Sequence, residues 1–273
     1  MSPTQEEKYL AFKKLHESPG AFVIPNPWNA GTAKILSSLG FEALATTSAG
    51  MAFATGRKDG LAALNLKETL VNCREIVAAT DLPVSADLED GFGAAPENCV
   101  ETIKGGIGAG LVGGSIEDAT GDPENPIYDF DLAVERIHAA SEACRGQPFL
   151  LTARSENFIR GRLDLDDTIR RLQAFERAGA DVLFAPGLPN LNAIKTVCES
   201  VSKPVNVVMG LVGATFSVDE LADVGVKRIS TGGSMARAAL GGFMQAATEI
   251  KEQGTFTYGE RALSNKAAND LMS

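Results

Sequence analysis

Short apolar runs alternate with longer amphipathic segments along almost the whole chain, and this alternation constrains the fold most strongly. Each apolar run has the length of a β-strand and is followed by a stretch with helical periodicity. Strands that alternate with helices form parallel sheets, and eight strand–helix units in about 250 residues are typical of a (β/α)8 barrel. The predicted strands are Phe22–Ile24, Ala43–Thr46, Pro83–Ala86, Val112–Ile116, Phe149–Ala153, Asp181–Ala185, Pro204–Val208 and Lys227–Ser230.

The pattern therefore predicts one α/β domain, a single (β/α)8 TIM barrel, over residues 1–273. An N-terminal helix at about Thr4–Glu17 precedes the first strand, and a polar C-terminal helix at about Tyr258–Met272 follows the last unit. A doubly wound open sheet is the alternative fold. It would need two halves, and no linker or shift in composition divides the chain.

Composition excludes two classes of partner. The chain has 35 acidic and 25 basic residues, a net charge of −10, whereas a nucleic-acid-binding face needs clustered Lys and Arg. No apolar stretch approaches the roughly 20 residues of a membrane span, and the polar N-terminal segment is unlike a signal peptide. The four cysteines have no CxxC spacing. We therefore expect a cytoplasmic protein with buried or partly buried thiols.

Three predicted strands end in charged residues, and the carboxyl ends of barrel strands carry the active site. Close carboxylates repel one another unless a cation holds them, and Mg²⁺ prefers oxygen ligands. An arginine beside such a site can bind a substrate carboxylate through two hydrogen bonds. The pattern predicts metal-assisted chemistry on a small anionic substrate. The charged residues are Asp87, Glu89 and Asp90 after the third strand, Glu117 and Asp118 after the fourth, and Arg154 after the fifth.

Each of these residues also has a structural interpretation. The first cluster could be a solvated acidic loop, but Gly91 and Gly93 follow it and allow a tight turn at the strand end. Glu117 and Asp118 could include a helix N-cap, and Glu117 is the favoured site residue. Arg154 could form an ion pair with Glu156, and both roles can coexist.

Weaker signals surround this core of the predicted site. Small residues at positions 46–50 let backbone N–H groups approach an anion, although an ordinary turn is the alternative. Asp59 lies in the loop that follows. The two histidines, His16 and His138, fall in predicted helices away from the strand ends. No imidazole base is therefore expected in the site.

Taken together, these motifs resemble the isocitrate lyase/phosphoenolpyruvate mutase superfamily. The resemblance implies a (β/α)8 barrel, Mg²⁺ (or Mn²⁺), 2-oxo or 2-hydroxy acid substrates and chemistry through a pyruvate-like enolate. It also implies homo-oligomers, dimers or tetramers, in which the last helix is exchanged between subunits. The motifs are Pro25–Gly31, Ala45–Gly50, Leu82–Asp87, Gly91–Gly93, Ser115–Asp118, Thr152–Arg154 and Val226–Ser230.

The resemblance also implies roles for individual residues. Asp87 would be the direct metal ligand, Glu89 and Glu117 would bind the metal through water, and Arg154 would bind the substrate carboxylate. The backbone at Thr47, Ser48 and Ala49 would hold the other end of the substrate, with Asp59 nearby. The complete predicted set comprises Arg154, Glu117, Asp59 and Glu156 as catalytic residues, Trp28, Thr47, Ser48, Ala49, Arg154 and Asn206 for substrate, and Asp87, Glu89 and Glu117 for metal.

The loop after the fourth strand departs from the family pattern. Residues 119–128 contain neither the Lys-(Lys/Arg)-Cys-Gly-His motif of the lyases nor the Lys-x-Asn-Ser stretch of the phosphonate enzymes. We predict an Mg²⁺-dependent lyase or decarboxylase that cleaves a C–C bond of an oxaloacetate-like or methylisocitrate-like acid. The alternatives are phosphonopyruvate or phosphoenolpyruvate chemistry at a C–P bond, and a non-catalytic 2-oxo acid binding protein. Proton transfer would fall to Glu89, Glu117, Glu156 or Tyr128, and residues 119–130 would form a lid.

Overall fold

The computed structural model describes residues 2–60, 62–211, 213 and 215–273, and the predicted barrel is confirmed. Eight parallel strands form one sheet, with helices on its outer face. The strands are β1 Phe22–Ile24, β2 Leu44–Ala45, β3 Val84–Asp87, β4 Gly113–Glu117, β5 Leu150–Arg154, β6 Val182–Phe184, β7 Val205–Val208 and β8 Arg228–Ser230. The helices are α1 Gln5–Glu17, α2 Ala30–Ser38, α3 Ser48–Ala54, α4 Leu66–Ala78, α5 Pro96–Gly108, α6 Phe130–Cys144, α7 Leu165–Arg177, α8 Leu191–Ser200, α9 Val218–Asp223, α10 Ser234–Gln253 and α11 Asn265–Met272.

The barrel is closed between β1 and β2 by contacts just beyond the ladder. The sheet runs β1-β8-β7-β6-β5-β4-β3-β2, and the Ala45 N–H donates to the Pro25 carbonyl at 3.0 Å. Asn26, just after β1, links the ends of β1, β2 and β8 here. Its amide nitrogen donates to the Thr46 carbonyl at 2.8 Å. Its side-chain oxygen accepts from the N–H groups of Thr231 and Gly232 at 2.8 and 2.9 Å.

The first helix covers the amino-terminal end of the barrel. Its N-cap Thr4 forms a capping box with Glu7. Phe12 is fully buried and packs edge-to-face with Phe22 and His16. Burial, with a contribution from nearby Arg228, lowers the pKa of His16 to about 3, so the ring is neutral. The predicted N-terminal helix therefore contributes to the barrel core.

The predicted single tail helix at 258–272 is wrong in its extent. Residues 257–260 form a short 3-10 turn, and α11 begins only at Asn265. Ser264 starts the new helix because its hydroxyl accepts from the Ala267 N–H at 3.1 Å. The helix α11 then packs against α2 of the same chain, where Lys34 donates to the Met272 carbonyl. Exchange of a terminal helix between subunits remains a prediction.

None of the helices in the described part of the chain is long and apolar enough to cross a membrane.

Candidate active site

A cavity of about 330 Å³ opens at the carboxyl ends of the strands. Residues from every strand or from the loop that follows it line the cavity, as expected for a barrel active site. The structure brings the predicted site residues together here, with the exception of Trp28. Those in the lining are Thr47, Ser48, Ala49, Asp59, Asp87, Glu89, Glu117, Arg154, Glu156 and Asn206.

Arg154 lies at the centre of a buried charge network. Its Nη1 is 3.2 Å from a Glu117 oxygen and 3.9 Å from an Asp87 oxygen, and its Nε donates to Glu156. The guanidinium also stacks 5.0 Å from the centre of the Phe184 ring. Because Glu117 and Glu156 are 5% and 0% exposed, solvent screens these contacts little.

The carboxylate of Asp87 is fixed from the side opposite Arg154. The hydroxyl and N–H of Ser48 donate to one of its oxygens, at 2.8 and 3.2 Å. Ser48 opens α3, whose N-cap Thr47 accepts from the Gly50 N–H. The small residues after β2 therefore position a carboxylate of β3 and also line the cavity.

Trp28 lies behind this helix instead of in the cavity lining. It packs against the cluster of Met51, Ala52 and Leu64. A Cβ on Gly50 would come within 2.8 Å of the Trp28 Cβ, so glycine permits this close packing. The structure thus places Trp28 as a support for α3, and the predicted contact with substrate does not follow from its position.

The backbone after β3 turns sharply and directs Glu89 into the cavity. Glu89 has a φ of +48° and Phe92 one of +61°, values that cost free energy for residues other than glycine. The Glu89 carboxylate accepts a hydrogen bond from the Ala62 N–H. Burial is the main cause that raises the pKa of Glu89 to about 8, with Asp87 among the smaller contributions.

Groups outside the cavity hold this turn. Arg136 is buried and donates to the carbonyl oxygens of Asp90, Gly93 and Ala94. Asp90 accepts from the Phe92 N–H at 2.9 Å and from the Tyr128 hydroxyl at 3.0 Å. Tyr128 does not line the cavity, so its predicted part in proton transfer does not follow from its position.

Glu117 and Asp118 point to different surroundings, as alternation along a strand requires. Glu117 faces the cavity, and burial is the first cause that raises its pKa well above the usual value. Asp118 accepts from the Glu156 N–H at 2.8 Å and lies 3.3 Å from Arg171. Asp118 is therefore structural, and the preference for Glu117 as the residue facing the site agrees with its position.

Sequence reasoning missed two arginines of the cavity. Arg160 lies in the loop after β5, with Nη2 3.4 Å from Glu117 and Nε 3.4 Å from Glu156. Arg228 lies inside the barrel, on an inward position of β8. The spacing from Glu156 to Arg160 hinted at an ion pair across one turn, and a charged residue within an apolar strand was a signal for Arg228.

The loop predicted as a lid is a short hairpin beside the cavity. Ala119 and Ile127 form an antiparallel bridge, and the Thr120 N–H donates to the Pro126 carbonyl at 3.0 Å. No described residue of 119–130 lines the cavity. The loops that do contribute to the lining include Asp59 and Gly60 after β2, and Ile159 and Arg160 after β5.

The cavity has the donor set of a site for a hard divalent cation. Asp87, Glu89 and Glu117 present carboxylate oxygens to one space, and burial already disfavours negative charge on two of them. In the described part of the chain, no group of three His, Cys, Asp or Glu side chains is close enough to enclose a metal ion. The arrangement fits an ion held directly by few protein ligands, with water completing its shell, as is usual for Mg²⁺.

This cavity and barrel agree with the match of the chain to a protein family. The model of the phosphoenolpyruvate phosphomutase family matches residues 12–251. The chain belongs to this family. The family resemblance inferred from the strand-end motifs is thereby confirmed.

Individual members of the family give the range of similarity. A 2-methylisocitrate lyase from Escherichia coli strain K12 is 30% identical over 220 residues, which cover 77% of this chain and 73% of the relative. A solved structure from Burkholderia cenocepacia J2315, described as a candidate lyase/mutase, is 54% identical with a TM-score of 0.96 and covers 98% of this chain and 96% of that chain. A phosphonopyruvate hydrolase solved with oxalate and Mg²⁺ is 22% identical with a TM-score of 0.87, covers 97% and 94% of the two chains, and shows the fold alone.

The raised pKa of Glu89 predicts a pH-dependent stability for the metal-free protein. Glu89 ionises near pH 4.5 in an unfolded chain and near pH 8 in the folded one. The folded state therefore binds an additional proton between these values, and the stabilisation is lost as the pH rises through about 8. We expect the melting temperature in EDTA to fall from pH 5 to pH 8, and to fall less in Glu89→Gln.

Glu68→Gln is the matched control for this measurement. Glu68 pairs with Arg57 on the surface, and hydrogen bonds from Arg57 are the main cause of its pKa of about 2. It stays ionised from pH 5 to pH 8, so its replacement should shift the curve without flattening it. An equal slope in Glu89→Gln and wild type would show that Glu89 does not titrate in this range.

Proposed function

We propose that this protein is an Mg²⁺-dependent lyase or decarboxylase that cleaves a C–C bond of a small 2-oxo or 2-hydroxy dicarboxylic acid. The observation that carries the proposal is Arg154, a guanidinium held between Glu117 and Glu156 and next to Asp87 in the wall of the cavity. A fixed cation beside carboxylates suits a substrate that is anionic and passes through an anionic intermediate. The similarity to a 2-methylisocitrate lyase supports C–C cleavage as the reaction class.

Arg154 can bind the substrate carboxylate without giving up its own partners. Its Nε contacts Glu156 and its Nη1 lies nearest Glu117 and Asp87, whereas no hydrogen bond from the described residues uses Nη2. A substrate carboxylate that accepts a hydrogen bond from Nη2 would be oriented by Arg154, whose position is already fixed by its other contacts. Such preorganisation lowers the cost of reaching the reactive geometry.

In a 2-oxo acid, cleavage of the bond between the carbon beside the carbonyl and its substituent leaves the electron pair on that carbon as an enolate, and the other fragment, CO2 in a decarboxylation, departs. In a 2-hydroxy acid, a base removes the hydroxyl proton and the electron pair passes to the departing fragment, whose carboxylate delocalises it. Arg154 would stabilise that negative charge where it develops. Asp87 would hold Mg²⁺, with Glu89 and Glu117 in support, and the bound ion would supply further positive charge for the enolate. The oxalate and Mg²⁺ in the related phosphonopyruvate hydrolase support this ligand class, because oxalate resembles a pyruvate enolate in shape and charge.

The residues of the cavity also offer a proton donor. The pKa of about 8 keeps Glu89 protonated at neutral pH in the metal-free protein. The hydrogen bond from Ala62 fixes its orientation. Because a bound cation favours the ionised form, we propose that whichever of Glu89 and Glu117 does not support the metal moves the proton that the reaction requires, with Asp59 in the cavity lining as a further candidate.

Chemistry at a C–P bond is the second candidate. It is favoured by the family description and by the fold shared with a phosphonopyruvate hydrolase. It ranks below C–C cleavage because the hairpin at 119–127 lacks the Lys-x-Asn-Ser stretch and contributes nothing to the cavity lining.

Replacement of Asp87 tests the metal site. Asp87→Asn keeps the hydrogen bond from Ser48 but removes the charge, and we expect Mg²⁺ affinity to fall by more than the about 10–100-fold typical of an outer-sphere change. Isothermal titration with Mg²⁺ measures this directly. Asp122→Asn, in the exposed hairpin, matches the change in charge and should bind as wild type does. Unchanged affinity in Asp87→Asn would remove Asp87 as the ligand.

A substrate panel tests the reaction. Pyruvate and phosphate release are measured from oxaloacetate, 2-methylisocitrate and phosphonopyruvate with Mg²⁺. We expect pyruvate from one of the first two, and in Arg154→Lys a loss of about 1.5–3 kcal/mol, or 10- to 150-fold in kcat/KM. Arg145→Lys, an exposed pair with Glu142, is the control. Turnover of phosphonopyruvate alone would favour the second candidate.

We further propose that the chain forms dimers or tetramers. The helix α10 is 20 residues long, yet Ala236 is its one buried residue in the described chain. Its exposed side chains include Phe243 at 71% and Met244 at 66%, and adjacent apolar groups of this size favour an interface.

The oligomeric state of a variant checks this proposal. Phe243→Ser combined with Met244→Ser should shift the mass in sedimentation experiments toward the monomer, while circular dichroism stays unchanged because neither residue belongs to the barrel core. A wild-type protein that sediments as a monomer would contradict the proposal.

A further inference from the structure

The active-site cavity continues below the strand ends into a polar recess inside the barrel. Barrel interiors are usually filled by bulky branched side chains. Here the inward positions of β3 and β4 carry Ser85 and Ser115. Ala45 on β2 pairs with Ser85 in the sheet, whereas Ser115 pairs with Asp87 on one side and with Thr152 on the other. The opposite wall is formed by Asn206 and Arg228. We use the term recess for the five residues Ala45, Ser85, Ser115, Asn206 and Arg228.

Arg228 is a buried cation without an acidic partner in the described part of the chain. It is 5% exposed, and no described carboxylate lies within 4.0 Å of it. Its Nε donates to Asn206 at 2.8 Å, its Nη2 donates to Thr152 at 2.9 Å, and its Nη1 lies 3.4 Å from His16 Nε2. Burial lowers its pKa to about 9, which still leaves it charged at neutral pH.

The described groups that contact Arg228 are uncharged, and they do not use all of its N–H groups. His16 donates from Nδ1 to the Phe12 carbonyl, so its Nε2 is an acceptor and the ring is uncharged. A guanidinium has five N–H groups, of which these contacts use three. A buried charge is costly unless an opposite charge meets it. Ser85 and Ser115 line the same space, and no hydrogen bond joins either hydroxyl to the described residues.

The recess lies deeper in the barrel than Arg154, by one inward-facing position of β5. Arg228 contacts Thr152, which precedes Arg154 by two residues on β5. Thr152 and Arg154 both point inward, and two residues of a strand span about 7 Å. The Arg228 guanidinium, bonded to Thr152, therefore lies one inward level below Arg154, a spacing on the scale of a dicarboxylic acid with four or five carbon atoms.

We propose that the recess is a second carboxylate subsite, in which Arg228 with Ser85 and Ser115 binds the distal carboxylate of the substrate. The inference rests on the proposed function for the position of the other end, at Arg154. It selects dicarboxylic 2-oxo acids over monocarboxylic ones of equal length.

A matched pair of ligands tests the subsite. The ligands 2-oxoglutarate and 2-oxovalerate have the same number of carbon atoms and differ in the distal carboxylate. With Mg²⁺ present, we expect wild type to bind 2-oxoglutarate about 10- to 100-fold more tightly than 2-oxovalerate. In Arg228→Gln this ratio should fall to near one, while affinity for oxalate, which reaches only the upper site, stays as in wild type.

Two further variants separate binding from folding. Ser115→Val fills the recess from the side that faces Arg228 and leaves Arg228 in place. It should therefore reduce the preference for 2-oxoglutarate in the same way, even if Arg228→Gln fails to fold. Arg145→Gln, on the surface, matches the change in charge and should leave the ratio unchanged. A purely structural role for Arg228 would lower the melting temperature and leave the ligand ratio intact, which would overturn the proposal.

The outcomes also separate this inference from the proposed function. Oxalate binding with no preference for 2-oxoglutarate would overturn the subsite and leave the proposed function standing. If no 2-oxo acid and no oxalate binds, the proposed function fails, and thermal stabilisation by glutarate then decides the subsite. Stabilisation that is lost in Arg228→Gln would support it, and absence of stabilisation in wild type would overturn it.

Discussion

The burial of several carboxylates in one cavity is the constraint on which the site depends. Among the described residues, the carboxylates that line the cavity are Asp59, Asp87, Glu89, Glu117 and Glu156, and the guanidinium groups in the lining are those of Arg154, Arg160 and Arg228. Three guanidinium groups do not balance five carboxylates. Burial accordingly raises the pKa of Glu89 and Glu117. The metal-free protein is expected to hold protons where a divalent cation would otherwise supply the charge.

Residues outside the cavity hold these charged side chains in position. Arg136 on α6 binds the carbonyl groups of the turn after β3. Gly91 adopts a φ of +81° there, and a Cβ at this position would come within 3.0 Å of the Cys99 sulfur. The unfavourable backbone of Glu89 is thus maintained by packing around it. The conformation of Glu89 depends here on residues of two outer helices, Arg136 on α6 and Cys99 on α5.

Residues whose position follows from the regular alternation of strands and helices could be predicted from the sequence. Residues whose position depends on the path of a loop or on the packing of one element against another could not. Residues at strand ends could be predicted because parallel strands place their ends together, and Asp87, Glu117 and Arg154 do meet. Arg160 was missed because its position depends on a loop path that has no period. Trp28 was predicted in the site from the family resemblance of residues 25–31, but the chain turns into α2 there and Trp28 packs behind α3.

The C-terminal tail and the barrel interior also have features that the sequence alone does not predict. A continuous polar stretch indicated one tail helix, whereas the N-cap at Ser264 starts a separate helix within it. Arg228 stands between Lys227 and Ile229 in a short strand, and the sequence alone does not say which of two adjacent basic residues faces inward. Pairing of Arg228 with Asn206 in the sheet decides it. Register, which fixes the face of every side chain, is a property of the closed barrel.

The missing loop motif bears on which group of the cavity could move a proton. The hairpin at 119–127 is tied across its base by the bonds from Thr120 to Pro126 and from Tyr128 to Asp118. None of its described residues lines the cavity. The carboxyl groups of the cavity whose pKa burial raises most clearly are Glu89 and Glu117, and such surroundings let a carboxyl group donate a proton near neutral pH in the metal-free protein. Because a bound cation favours the charged form, each of these two groups can hold either a proton or part of the charge of a metal site, but not both.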